Sequence, residues 1–331
     1  MSCYDFFAEF ALEGQQDLID QVVDPQGSYD VLKQAPWTTR AQVLATGLIE
    51  DKNFNELIKN GHDKKNIGGY PKLIKDTAPF PSSDPLDIAA LCAPRPACLA
   101  VLPSGSCLLR VGVRLRRPFT SKDDLAFYPI DNPLKREWVF QTPYLPVAGV
   151  KGLLRWAWRM CFGDNEKTRE ILLFGPRNEG LKGGDDLAGC LYIWPLFWRG
   201  KVGLEVINPH DRLSGAGQDP IKYEIVEAGA TADIWLLFLN RRLEDAAGFL
   251  AETVSPLVDA LSYLVTESGL SAKRSADWGS VDVTTAEAWL KDARLPERPP
   301  AESIKCSEEK NFLYDLNVWL HEQFSDQGGL S

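Results

Sequence analysis

The spacing of apolar and polar positions along this chain changes period several times, and each change marks an element. Residues 1–75 carry apolar residues at helical spacing, in DFFAEFALEGQQDLIDQVV and again in TTRAQVLATGLIEDKNFNELIKN, which predicts a helical N-terminal segment. Residues 76–105 are rich in Pro, Ser and Cys, the composition of a connector with short ordered pieces. At Cys107 the period drops to two. Leu109, Val111, Val113 and Leu115 then share one face of a predicted strand, with Arg110, Arg114 and Arg116 on the other. After a polar loop comes IDNPLKREWVFQTPYLPVAGVKGLLRWAWR, residues 130–159: an acid in a Pro-bounded turn, a Pro-flanked aromatic strand end, and a helix. In that helix Leu153, Leu154, Ala157, Met160 and Cys161 are expected to face a core.

Further along, the glycine-rich LLFGPRNEGLKGGDDLAG feeds the apolar strand CLYIWPLFW. Two strands then flank a long polar excursion over about residues 203–229, a projecting hairpin. LEDAAGFLAETVSPLVDALSYLVTES predicts a second long helix, and GLSAKRSADWGSVDV a basic glycine loop entering a short strand. The order β, loop, α, β, hairpin, β, α, β predicts an α+β fold of the split βαβ, ferredoxin-like kind. The expected division is a helical extension with its connector over 1–100, the ferredoxin-like domain over 101–284, and a C-terminal helical extension over 285–331.

Composition narrows the class. No apolar run is long enough to span a bilayer, and the acidic N-terminus lacks the basic region of a secretory signal. Seven cysteines, an odd number with no CxxC pair, predict reduced thiols in a cytoplasmic protein, with no structural metal site. A net charge of −10 argues against indiscriminate nucleic-acid binding. The charge is unevenly spread, however. Residues 1–30 hold seven acids and no Lys or Arg, residues 282–331 ten acids and five bases, and residues 110–159 ten bases and four acids. A basic middle between acidic ends suits a protein that holds an anion at one site and meets other proteins elsewhere. A solvated charged face would have the same composition.

Within that middle, Gly149 and Gly152 allow a partner to approach a helix start, where free N–H groups attract anions. Lys151, Arg155 and Arg159, spaced i, i+4, i+8, lie along one helix face. Together these residues form a candidate phosphate cradle. Lys273 and Arg274, in the later glycine loop, are further candidates for backbone contacts, with Asp277 competing for them. Asp131 could accept a proton from a ribose 2′-OH while Lys135, Arg136 or Lys151 steadies the phosphate. Asp and Asn before Pro are also ordinary turn formers, so both readings of Asp131 stay open. Asp123 and Asp124 are weaker candidates of the same kind. Trp156, Trp158, Trp194 and Trp198 are expected in the core or an interface. His62, His210 and His321 lack ligand spacing. The GGDD at 183–186 resembles a metal-binding palm motif, but only its downstream side is strand-like, so a surface turn is expected.

Four stretches resemble the RAMP superfamily of type III CRISPR effector complexes: TPYLPVAGVKGLLR, LFGPRNEG with AGCLYIW, PIKYEIVEAGATADIWLLF, and GLSAKRSADWGSVDV. The chain departs from that family at Val147, Ala148 and Gly149, where Gly-Ser-Ser is usual, and at Ala276 and Asp277, where another glycine is common. The INPH at 207–210 is similar to a segment of the terminal subunit of the Cmr branch. The resemblance implies a ferredoxin-like, RRM-like domain with a projecting thumb at 203–229. It also implies a backbone-type subunit that binds guide RNA and complementary target RNA beside other RAMP subunits and a large subunit. Asp131 stands where cleaving members carry the aspartate needed to cut target RNA, with Lys135 and Arg136 in the matching basic positions. No tightly bound cofactor is implied, although Mg²⁺ or another divalent cation would serve cleavage. The competing readings are a non-catalytic capping subunit of the same assembly, a stand-alone precursor-RNA endoribonuclease, and a nucleotidyl cyclase.

Overall fold

The computed structural model describes residues 16–24, 35, 37–46, 52–61, 69–75, 87–123, 128–176, 188–209, 220–241 and 246–291. In chain order its helices are α1 (Gln16–Val23), α2 (Trp37–Thr46), α3 (Lys52–Asn60), α4 (Tyr70–Lys75), α5 (Ile88–Cys92), α6 (Val147–Phe162), α7 (Lys167–Phe174) and α8 (Ala246–Tyr263). Its strands are β1 (Cys107–Leu115), β2 (Tyr144–Leu145), β3 (Leu191–Ile193), β4 (Leu196–Phe197), β5 (Val202–Ile207), β6 (Ile221–Val226), β7 (Thr231–Phe238) and β8 (Val281–Leu290). No described helix is long and apolar enough to cross a membrane. The GGDD motif, His62, His210, His321, Asp124 and the hairpin tip at 210–219 lie outside the described residues.

Two compact units make up the chain, and each is discontinuous. One comprises Met1–Pro81, Thr120–Pro143 and Gly200–Glu227; the other comprises Ser82–Phe119, Tyr144–Arg199 and Ala228–Ser331. This division differs from the contiguous one read from the sequence. The helical N-terminal segment shares its unit with the Asp131 loop and the thumb strands, while the connector from Ser82 belongs with the sheet.

The sheet unit is built on four antiparallel strands in the order β3-β7-β1-β8. Numbered by their succession in the chain, these strands run 2-3-1-4, the order of a βαββαβ ferredoxin-like fold, with α6 and α8 as its crossover helices. Along β1 the expected inner face holds, since Leu109, Val111, Val113 and Leu115 are all buried. The register with β8 slips between Gly112 and Val113, leaving an extra residue on β8. The bulge brings side chains onto Gly112, where a side-chain carbon would lie 2.4 Å from Thr285 Oγ1 and force it to shift. β8 continues to Leu290, so residues 285–290, expected in the C-terminal extension, are strand.

The other face of the sheet is covered too. Leu108 and Leu237 are buried with Leu99 from the connector, and Leu102, Trp194, Trp235 and Trp289 pack around them. Asp87 fastens this covering segment. One oxygen caps α5 by accepting from the Ala89 N–H at 2.9 Å, and the other pairs with Arg199 Nε at 2.8 Å.

The helical unit buries Ile19, Val22, Ala41, Val43, Leu44, Ile58, Tyr70 and Leu73 from its four helices. The long helical pattern through residue 60 is realised as two helices, α2 and α3. Its polar centre is Glu224 on β6, which has no solvent exposure. The carboxylate accepts from Tyr128 Oη at 2.9 Å and from the Leu134 N–H at 2.8 Å, and it pairs with Arg136 Nη2 at 2.8 Å. Arg136 is buried as well, its guanidinium lying over the Trp37 ring at 4.5 Å. Burial pulls the Arg136 guanidinium below its usual value and pushes the Glu224 carboxyl well above the carboxylate range, with the Leu134 N–H opposing the latter.

Removing either partner would strand the other in a site shielded from water. Glu224→Ala and Arg136→Ala are each expected to lower the unfolding free energy by about 3–5 kcal/mol. Urea titration followed by circular dichroism measures this. The joint change Arg136→Met with Glu224→Leu should cost less than the two single losses combined, and strict additivity would show that the pair is not coupled.

Candidate nucleic-acid interface

α6 begins at Val147, after Pro146, and no side chain caps its first turn. Its leading N–H groups therefore take no side-chain cap, the condition in which a helix start attracts anions. The two glycines at this start do different work. A side-chain carbon on Gly149 would lie 2.8 Å from Leu145 Cδ1, so this glycine admits the chain's own packing. At Gly152, apart from the helix's own backbone, no atom of the described residues lies within 4 Å of that position, and the residue is exposed. No packing among the described residues requires glycine there, although glycine in a helix interior costs about 1 kcal/mol relative to alanine. A bare patch of helix backbone is what a closely approaching partner needs.

The basic stripe does not behave as three equivalent cations. Glu170 on α7 receives both guanidiniums: Arg155 Nε lies 3.3 Å from Oε1, Arg159 Nε donates to Oε2 at 2.8 Å, and Arg159 Nη2 pairs with Oε1. Arg155 also donates to the Gly175 carbonyl and stacks over Phe174 at 5.3 Å. Both arginines are thus tied to α7, a correction to the expected cradle. Lys151 differs from them, with no acid at ion-pair distance among the described residues. Partial burial, and then the neighbouring Arg155 charge, pull its ammonium below the usual lysine range. On the packed side Val150, Leu154, Ala157 and Trp158 are buried, whereas Met160 and Cys161 are exposed. Helical spacing sorts residues into faces but does not say how far along the helix the covering neighbours extend.

The glycine loop meets the same helix. Arg274 lies over the Trp156 ring at 4.3 Å and donates to Ser268 Oγ at 3.0 Å, while Trp156 also contacts Tyr263 at 5.9 Å. Trp156 is one turn beyond Gly152 on the helix. The Lys273 N–H donates to Ser271 Oγ at 3.4 Å. Asp277, in the left-handed region at φ 61°, pairs with Arg117 at 3.6 Å. The competing acid is therefore directed to another arginine. Trp158 and Trp198 are fully buried and Trp194 is partly so, as expected of core residues.

In the helical unit, the turn holding Asp131 is organised by its neighbour. Asn132 Nδ2 donates to the Lys222 carbonyl at 3.2 Å, and the Asn132 carbonyl accepts from the Glu224 N–H at 3.1 Å. Asp131 itself points outward, with its side chain 86% exposed and 3.8 Å from Lys59 Nζ on α3. Asn132 thus ties this loop to β6. Of the cations expected around Asp131, Lys135 pairs with Asp123 at 2.8 Å and Arg136 belongs to the buried Glu224 cluster. Arg136 is withdrawn as a phosphate ligand because its charge is satisfied inside the unit. No group of three His, Cys, Asp or Glu is gathered among the described residues. A lone carboxylate beside an ammonium is a donor set that does not fit a divalent cation. Sequence spacing gives no sign of Lys59 or Glu170, because separate helices bring them in.

The sheet face without crossover helices is largely covered by the connector, with Tyr192 of β3 exposed at its edge. RNA-recognition sheets stack bases on exposed aromatics. Here Trp235 and Trp289 stack on each other at 5.9 Å under the connector. Arg110 beside them is held by Asp233 and Glu287, each at 3.0 Å.

Solved structures resemble this arrangement. A chain in the cryo-EM structure of the type III-B Cmr-beta bound to cognate target RNA is 12% identical, with a TM-score of 0.56, covering 84% of this chain and 100% of that one. A chain of the Csm3-Csm4 subcomplex in the type III-A CRISPR-Cas interference complex is 14% identical, with a TM-score of 0.41, covering 66% and 95%. A chain of a CRISPR RNA-guided surveillance complex is 13% identical, with a TM-score of 0.42, covering 67% and 83%. Among curated proteins none is significantly similar to this chain. The first of these likenesses shows a shared fold, and a family model matches residues 57–282, well over half of the sequence. On that match, the chain belongs to the RAMP superfamily.

Proposed function

We propose that this chain is an RNA-holding subunit of a type III CRISPR ribonucleoprotein. It grips guide RNA by its phosphates at the start of α6 and packs beside other RAMP subunits and a large subunit. One observation carries the reading: among the described residues the α6 start has no side-chain cap, Gly152 is open and Lys151 has no acid partner, while Arg274 lies over Trp156 of the same helix. Such a surface recognises the charge and shape of a backbone and reads no base sequence. The fold shared with a chain of an RNA-bound type III-B assembly supports the same class of partner, and complementary target RNA would pair with the guide so held.

A second reading, cleavage of target RNA at Asp131, draws on the exposure of that carboxylate and its freedom from turn-forming work. The geometry favours holding over cutting. Two of the cations that a scissile phosphate would need are engaged elsewhere, and the donor set does not suit a metal. A capping or scaffold position in the assembly is consistent with this arrangement.

Three outcomes follow from the holding role. Lys151→Ala should weaken single-stranded RNA binding regardless of sequence and reduce the slope of log K against log salt by about 1. Fluorescence anisotropy across a salt series reads both effects, and an unchanged slope would remove Lys151 from the interface. Gly152→Ala should raise helix stability by up to about 1 kcal/mol while weakening RNA binding. Stability and affinity moving in opposite directions in thermal unfolding and anisotropy would identify the bare backbone as a contact. Asp131→Ala should leave stability within about 0.5 kcal/mol and target cleavage by the assembled complex unchanged. Loss of cleavage with guide RNA retained would transfer the catalytic role to this residue.

A further inference from the structure

The loop ahead of β8 passes through left-handed backbone three times, at Gly269 (φ 78°), Asp277 (φ 61°) and Gly279 (φ 75°). Glycine suits such positions, and at Gly279 a side-chain carbon would lie 2.4 Å from the Ser271 nitrogen. Asp277 keeps a side chain where the backbone disfavours one, although Asp tolerates the region better than most residues. Its backbone forms the turn. The Asp277 N–H donates to the Arg274 carbonyl at 2.9 Å, and the Asp277 carbonyl accepts from the Ser280 N–H at 3.4 Å. The carboxylate meets Arg117 instead, 3.6 Å from Nε.

Both side chains of this pair stand in solvent, 66% exposed for Arg117 and 68% for Asp277. Their backbones are fixed nevertheless. The Gly279 N–H donates to the Pro118 carbonyl at 2.7 Å and the Arg116 N–H to the Ser280 carbonyl at 2.9 Å, which fastens the loop to the end of β1. At 3.6 Å the contact is ionic without a hydrogen bond, and among the described residues no acceptor takes the guanidinium N–H groups of Arg117. An exposed pair of this kind adds little to stability. The left-handed backbone at Asp277 and the open fork of Arg117 therefore point away from folding and toward an anion.

We propose that Arg117 binds a phosphate of the RNA backbone and that Asp277 is its competitor, holding the guanidinium until the phosphate displaces it. The inference rests on the RNA-holding reading and adds to it a second phosphate contact with its own counter-ion. A planar guanidinium takes two phosphate oxygens at about 2.7–2.9 Å, a closer and better aligned contact than the one Asp277 makes. A carboxylate from a neighbouring protein would only repeat the contact already present and gains nothing by displacing it. The loop also rests on α6, through Arg274 over the Trp156 ring, and both phosphate contacts belong to one compact unit. A strand already held by another contact presents its next phosphates at high local concentration, whereas a strand held nowhere else meets a neutralised pair. Asp277 thus raises the threshold for stray anions.

Fluorescence anisotropy of the full chain with a single-stranded RNA tests this. Asp277→Asn, which keeps the shape and removes the charge, should bind about five-fold tighter, the upper limit for an exposed ion pair. Asp277→Gly should match it with no loss of melting temperature, since glycine suits the backbone there. Adding Arg117→Ala to Asp277→Asn should abolish the gain, and Arg117→Ala should weaken binding more in that background than in the native chain. A gain that survives Arg117→Ala would reflect net charge alone and overturn the proposal, as would Asp277 variants that bind no tighter. Should Lys151→Ala weaken binding while the Asp277 variants leave it unchanged, the phosphate grip stands and only the Arg117 contact falls. If the native chain binds no RNA, both fall. Tighter association of the Asp277 variants with a neighbouring subunit, at unchanged RNA affinity, would assign Arg117 to a protein contact and likewise overturn it.

Discussion

Glu224 is the residue on which the helical unit turns. It sits on a thumb strand and is sealed from solvent. Around it gather a phenol, a backbone N–H and a guanidinium from the loop that carries Asp131. A buried acid tolerates no loose arrangement, because each oxygen must find its partners at short range. One carboxylate therefore sets where the Asp131 turn lies against β6. The same ion pair removes Arg136 from the surface, which bears directly on the chemistry available beside Asp131.

Similar logic runs through the basic middle of the chain. Its excess of arginine and lysine suggests a broad positive surface, yet most of those charges meet acids from remote parts of the sequence. Arg110 meets Asp233 and Glu287, Arg116 meets Asp282, Arg117 meets Asp277, and Glu170 takes Arg155 and Arg159. Among the described residues Arg114, Lys122 and Lys151 have no acid at ion-pair distance, and Lys151 lies beside an open glycine. A grip of the kind proposed is compatible with a net charge of −10, since it would attract a strand only where the backbone can also come close.

Function in this reading arises from what the packing leaves unfinished. Among the described residues, no side chain caps the α6 start, no atom outside the helix backbone approaches Gly152, and one buried Arg136 N–H finds no acceptor. A protein that completed all three from within would be more stable and would have less to offer a ligand. Asp87 shows the opposite case. By capping α5 and holding Arg199, it helps to seal a sheet face that many related architectures leave open to RNA.

Alternation along β1, the helical periods of α6 and α8, and the order of elements were enough to determine a ferredoxin-like α+β fold, because local periodicity reports which face of each element is buried. The Pro-bounded turn and the glycine–lysine helix start were legible for the same reason, their conformations being set by residues close in the chain. Pairing across distance was not. That Asn132 rather than Asp131 ties the loop to β6, that Glu170 claims two arginines, and that the N-terminal helices share a unit with the thumb strands all depend on contacts between distant segments. Those contacts form only when the chain has folded, since burial and ion pairing are settled by what lies nearby in space. The sequence by itself determined the fold and the place of the glycine–lysine helix start, and tertiary packing decided which of the charges near it are paired.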